Sequence, residues 1–162
     1  IEEVSRLCDQ LMVLEKGKII FLGSIIEALT KSNSPLLTTQ HAVAIFNCKI
    51  VSCDTEYSLS LVETESATPL FVKGLLSPGD SIRIRVCAAD VSLCKARPEQ
   101  SSILNILSAT LVSVAEETQS EMLLRLQVND DIFLSRISKK SFAALSLQVG
   151  VAVYIQFKGV LL

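Results

Sequence analysis

Three stretches of this chain alternate apolar and polar side chains with a period of two, and that pattern leaves few folds open. In SIRIRVCA (81–88), Ile82, Ile84 and Val86 fall on one side and Arg83 and Arg85 on the other. In MLLRLQV (122–128), Met122, Leu124, Leu126 and Val128 share a side, and in VAVYIQF (151–157) Val151, Val153, Ile155 and Phe157 do the same. Successive residues of a strand point to opposite faces, so this alternation marks half-buried strands. Several short strands at regular spacing predict small barrels rather than a parallel sheet.

The β region reads as two copies of one unit, separated by KARPEQSS (95–102). KIVSCDTEYSLSLVE lies over TLVSVAEETQSEMLLRLQ, and LSPGDSIRIRVCAADVSL over LQVGVAVYIQFKGVLL, with Gly79 matching Gly150 and Cys87 matching Lys158. Only the second copy carries the extra segment SKKSFAA. Before the repeats, residues 1–10 predict a helix with Val4, Leu7, Cys8 and Leu11 on one face and Glu2 and Glu3 in the first turn. LMVLEKGKIIFLGS predicts a hairpin turning at Lys16-Gly17. Ser24 and Glu27 form a capping-box pair at the head of IIEALTK, and residues 32–40 read as a linker. The division expected is 1–36, 37–97 and 98–162. The chain opens at Ile1 inside an amphipathic pattern, so it is expected to be a piece of a larger protein.

The inserted segment holds the chemistry of most interest. Ser138 is a good N-cap and KKSFAAL a plausible short helix. The first N–H groups of a helix lack intrahelical partners and favour an anion. Ser141 adds a hydroxyl, Lys158 stands at the end of the last strand facing away from the core set, and Lys139 and Lys140 add positive field. If strand ends and corners of a small barrel converge, these groups would serve a four-oxygen anion. The simpler reading of the same residues is a capped, solvated turn, with Lys158 a surface lysine. Arg83 and Arg85 read as the wet face of a strand.

Other classes of function are poorly served. Net charge is −2, pI about 5.5, aromatics are 5% and Trp is absent, which argues against a nucleic-acid footprint or base-stacking platform. The most apolar run, KIIFLGSIIEALTK, is interrupted by Gly23, Ser24 and Glu27, so no membrane span or signal peptide is expected. Five cysteines (Cys8, Cys48, Cys53, Cys87 and Cys94) without CxxC spacing, and a lone His41, give no metal pattern and suit free thiols in a reducing cytosol. Asp54, Glu56, Asp90, Asp130 and Asp131 sit in turn-like settings, and neither paired carboxylates nor a nucleophile elbow is evident, so no active site is expected. A mean hydropathy of +0.47 points to apolar surface covered by a partner.

IEEVSRLCDQLMVLEKGKIIFLGS resembles the stretch after the switch histidine of ABC transporter ATPases. Cys8-Asp9-Gln10, Leu11 to Leu14, Gly17 and Gly23 carry the likeness. That resemblance implies a short α/β remnant of an ATPase domain whose phosphate-binding loop, signature loop and histidine precede Ile1, so ATP and Mg would belong only to that missing half. ADVSL, PEQSSILNIL and LSRISKKSFAALSLQVGVAVYIQFKGV resemble the C-terminal regulatory region of the ATP-binding subunit of molybdate importers, with its tandem Mop or TOBE-type folds. The implied architecture is mainly β, with tandem OB-like barrels. The implied function is molybdate or tungstate binding at sites shared in a homodimer, restraining transport through a membrane permease from the cytoplasmic face. Carried over residue by residue, the oxyanion ligands would be Ser102, Asn105, Ser138, Ser141, Lys158 and Gly159. Leu104 stands where the family has an arginine, which removes the strongest charge-assisted donor, and Gly159 leaves only a backbone N–H. Weaker binding is therefore implied, and Lys158→Ala is expected to abolish it. Rival readings are a purely structural dimerisation module, a sugar-importer extension, a free-standing oxyanion store and a nucleic-acid OB-fold.

Overall fold

The computed structural model describes residues 8–30, 42–116 and 118–158. The expected helix over 1–10 and the linker over 32–40 lie largely outside the described residues. The first element is a hairpin of β1 (Gln10–Glu15) and β2 (Lys18–Ser24), turning at Lys16 and Gly17, both with positive φ. The capping box forms as expected: the Glu27 N–H donates to Ser24 Oγ (3.1 Å) and the Ser24 N–H to Glu27 Oε2 (3.3 Å), starting α1 (Ile25–Thr30).

The first copy is a four-stranded antiparallel sheet of β3 (Val43–Asp54), β4 (Leu59–Thr64), β5 (Pro69–Lys73) and β6 (Ser81–Cys87), in the order β5-β4-β3-β6. A 3-10 turn (Ala88–Asp90) leads to the short β7 (Ser92–Cys94). The second copy contains β8 (Asn105–Glu116), β9 (Glu121–Val128), β10 (Asp131–Ser138), α2 (Lys139–Ala144) and β11 (Ala152–Phe157). Its sheet runs β10-β9-β8-β11-β7, so β7 is its fifth strand, paired antiparallel with β11. The sheet curls until its end strands approach, with the Ser135 hydroxyl donating to the Val91 carbonyl. The architecture is mainly β and OB-like.

The duplication extends to backbone detail. The β3/β4 register slips between Ile50 and Ser52, and the β8/β9 register between Leu111 and Ser113. In each copy the bulged strand meets the turn before the last strand through the same pair of bonds. Gly79 N donates to Ile50 O (2.8 Å) and Ile50 N to Asp80 O (2.9 Å). Likewise Gly150 N donates to Leu111 O (2.7 Å) and Leu111 N to Val151 O (3.0 Å). Both glycines have φ near +90°. A Cβ at either would meet nothing within 4 Å, so the need for glycine is conformational, not steric. Gly150→Ala and Gly79→Ala are each expected to cost roughly 1–3 kcal/mol of stability, the usual scale of such strain. Urea denaturation of the two variants would check this; a neutral substitution at either position would mean that the strain is relieved by a backbone shift.

Alternation places the inward faces well. Val153, Ile155 and Phe157 are buried in β11, while Val151 precedes the strand and is only half-buried. In β9 and β10 it is incomplete, because Leu123 and Leu134 point outward yet are buried against Ala42 and Ala88 of the first copy. One continuous core runs through both copies, with Phe133 between Phe46 (centroids 4.5 Å apart) and Phe157 (5.7 Å).

Arg83 differs from the solvated residue expected. Its guanidinium bonds Asp9 Oδ1 (2.6 Å), the Cys8 carbonyl and Asn47 Oδ1 (both 3.3 Å). With Ile25 packed on Val43 and Ile45, these contacts hold the N-terminal hairpin and α1 against the first copy. Arg85 is likewise half-buried, and its Nη2 donates to Cys87 Sγ (3.3 Å).

Candidate functional site

The expected anion corner forms as a local structure. β10 ends at Ser138, whose extended backbone (φ −67°, ψ 148°) turns the chain into the six-residue helix α2. Ser138 Oγ accepts from the Ser141 N–H (2.9 Å), and the two hydroxyls are 2.8 Å apart. The Lys139 N–H donates to the Ser120 carbonyl (2.8 Å). Two of the first N–H groups of α2 are thus already used, a correction to the expectation that they stand free. The exposed residues at the head of α2 are Ser138, Lys140 and Ser141.

Lys158 lies elsewhere. It directly follows Phe157, which pairs with Asn105 at the start of β8. It is exposed, as are Ser102 and Leu104, the latter at 55%. Asn105 is buried, and its amide is engaged twice with β5. Oδ1 accepts from the Phe71 N–H (2.8 Å) and Nδ2 donates to the Phe71 carbonyl (3.1 Å). Gly159 lies outside the described residues.

Register shows how far apart these groups are. Ser138 pairs with Glu121, and the neighbouring Met122 pairs with Glu116 at the end of β8. Asn105 and Lys158 lie at its beginning. β8 has 12 residues, and at about 3.3 Å per residue its two ends are roughly 30–40 Å apart along the strand. The expected convergence of strand ends therefore fails within one chain. Ser138 and Ser141 lie toward one end of β8, and Ser102, Asn105 and Lys158 toward the other.

Sequence reasoning missed a cleft between the copies, of about 250 Å³, lined by Phe46, Asn47, Glu65, Asp130, Asp131 and Ile132 among others. Its residues come from β3, the turn after β4 and the start of β10, far apart in sequence, so no local motif announces it. Its carboxylates make it hostile to an oxyanion. The neighbouring Cys48 thiol registers that field: its pKa is pushed up to about 12, by burial first and then by Asp131 and Glu65. Among the described residues no His, Cys, Asp and Glu side chains gather as a metal site, the five cysteines are free thiols, and no helix is long and apolar enough to cross a membrane.

The fold and its elaborated copy define a class. Residues 101–160, which cover most of the second copy, match the TOBE domain. Nearly the whole chain aligns with molybdenum import ATP-binding proteins called ModC. It is 36% identical over 160 residues to that of Albidiferax ferrireducens (99% of this chain, 43% of the relative) and 32% identical over 166 residues to that of Rhodopseudomonas palustris (100% and 44%). Nearly the whole chain is thus similar to the C-terminal part of molybdenum import ATP-binding proteins, and its second copy carries the TOBE match. The chain spans less than half the length of those relatives. The cytoplasmic molybdate-binding protein ModG, in a crystal structure with molybdate bound, superposes with a TM-score of 0.65 over 72% of this chain and 92% of its own. At 17% identity that likeness establishes the shared fold.

Proposed function

We propose that the chain is the oxyanion-sensing regulatory part of a molybdate- or tungstate-importing ABC ATPase. The observation that carries this reading is the similarity of nearly this whole chain to part of the molybdenum import ATP-binding proteins, combined with the TOBE match over the elaborated copy. ATP and Mg would be handled by the portion of the relatives that this chain does not span. The protein would work on the cytoplasmic face of the membrane, bound to a permease through that portion. Residues 1–36 would be the end of the ATPase domain, with regulatory copies at 37–97 and 98–162.

The two half-sites give the proposal a concrete form. Hydroxyls at Ser138 and Ser141 supply neutral donors, and Lys158 supplies charge, with Ser102 and the Gly159 N–H beside it. One chain holds Ser138 and Ser141 toward one end of β8 and Ser102 and Lys158 toward the other, so a complete ligand set would require a second chain. Molybdate would then bind across a homodimer, and its binding would restrain transport.

A ligand that binds only the folded state raises its melting temperature by mass action. At 100 times Kd the gain is about 2.7 kcal/mol, which for a chain of this size is roughly a 5–10 °C shift. Molybdate and tungstate are expected to produce a saturable rise, and sulfate and phosphate none. An equal rise with all four dianions would refute selective sensing. No rise with any would favour the second reading, a structural dimerisation module. That reading draws on exposed, uncharged Leu104 at the place where the resemblance calls for an arginine.

A further inference from the structure

We propose that Asn105 is a positioning residue that ties the oxyanion-binding end of the second copy to edge strand β5 of the first, so that oxyanion binding beside Lys158 stiffens the joint between the copies. This rests on the oxyanion reading above and names a regulatory consequence for that same site.

β5 is an end strand of the four-stranded sheet. The outward N–H and C=O of such a strand need partners other than a neighbouring strand. At Phe71 both partners come from one side chain, because the Asn105 amide accepts from the N–H and donates to the carbonyl, as a passing strand would. An amide offers one oxygen and two N–H donors. One lone pair and one donor are committed to Phe71, and at 4% exposure the side chain has almost no access to solvent. Turning it toward an anion would strip two backbone groups of their partners at once. Asn105 therefore suits the role of a clip better than that of a ligand.

The clip does not stand alone. At the same end of the barrel, Asn129 Nδ2 donates to the Ser66 carbonyl and Thr68 Oγ1 (both 3.2 Å), and the Thr64 hydroxyl bonds Asp131. These bonds form a polar seam between the copies. Lys158 sits at the edge of this seam, one residue beyond the Phe157–Asn105 pair. Repeat symmetry does not explain the clip. The copies superpose bulge on bulge, and the position of the first copy equivalent to Asn105 is Ala44, fully buried and without an amide.

The test is NMR-resolved hydrogen exchange on the 162-residue chain, as wild type, Asn105→Ala and Asn105→Asp, each with and without sodium molybdate and with sodium sulfate as control. The Phe71 amide is expected to exchange at least tenfold faster in Asn105→Ala than in wild type, while the Val62 amide within the same sheet is unaffected. Molybdate should slow Phe71 exchange in wild type and sulfate should not. Asn105→Asp keeps an acceptor for the Phe71 N–H but sets an oxygen against its carbonyl, so it should lose part of the protection even if the alanine variant folds poorly. Unchanged Phe71 protection in both variants, with molybdate affinity lost, would overturn the proposal and make Asn105 a ligand. Molybdate binding to wild type without any change at Phe71 would overturn the coupling while leaving the oxyanion reading intact. If molybdate fails to bind wild type, the oxyanion reading falls and takes the coupling with it, and loss of protection in Asn105→Ala would then mark a purely structural clip.

Discussion

Phe133→Ala is expected to destabilise the chain by about 3–5 kcal/mol, the range for removing a buried phenylalanine and leaving a cavity. Phe133 is fully buried and bridges Phe46 of the first copy to Phe157 of the second. Its loss removes two tilted ring contacts, each contributing about 0.5–1.5 kcal/mol beyond area burial, at the place where the copies share their core. The melting temperature should fall by roughly 10 °C. The whole β region should still unfold in one transition, because no boundary in the core separates the copies. Differential scanning calorimetry reads both quantities. A cost below 1 kcal/mol, or two resolved transitions with only the second shifted, would show that the copies fold independently.

The second large effect concerns Lys158. Under the oxyanion reading it is the cation at its half-site, since Leu104 occupies the arginine position of the resemblance and the serines are neutral. A hydrogen bond to a charged partner contributes about 1.5–3 kcal/mol, so Lys158→Ala should weaken molybdate binding roughly 10- to 150-fold. Lys158 is exposed at a strand end, so the fold should be unaffected and its melting temperature unchanged. Lys49→Ala, an exposed lysine of β3 in the first copy, is the matched control and should bind as wild type does. Unchanged affinity in Lys158→Ala would remove this residue from the site and with it the two-half arrangement.

The features that could be read in advance are those encoded over three or four residues or by a simple period. The Lys16-Gly17 turn, the Ser24/Glu27 capping box, the Ser138 cap and the inward faces of β9 and β11 are of this kind. Each depends on backbone geometry or on hydrogen bonds between near neighbours, which the chain carries wherever it goes. The duplication was legible for a related reason, since matched glycines and matched alternation survive as text. What was not legible depends on partners distant in sequence. Arg83 looks like any outward strand residue until Asp9, 74 positions away, is placed beside it. Leu123 and Leu134 look like breaks in a pattern until Ala42 and Ala88 cover them. The failure of Ser138 and Lys158 to meet follows from strand order and register, which local patterns do not specify. The amide of Asn105 was read as a donor for an anion because nothing in its neighbourhood of the sequence names Phe71.

Strand β7 bears on where one unit ends and the next begins. The stretch that matches the TOBE domain starts at residue 101, yet the strand beside β11 is residues 92–94, which arrive from the first copy's side of the connecting segment. A piece cut at the start of that match would leave Tyr154, Ile155 and Gln156 of β11 without their β7 partners, with backbone groups open to any passing strand. The stretch that closes the first copy is therefore more than its tail: residues 92–94 are masonry common to both copies, and the smallest transplantable form of the second barrel has to include them. For the same reason an insertion between residues 88 and 95 would not merely lengthen a connection. It would displace a stave of the barrel it leads into.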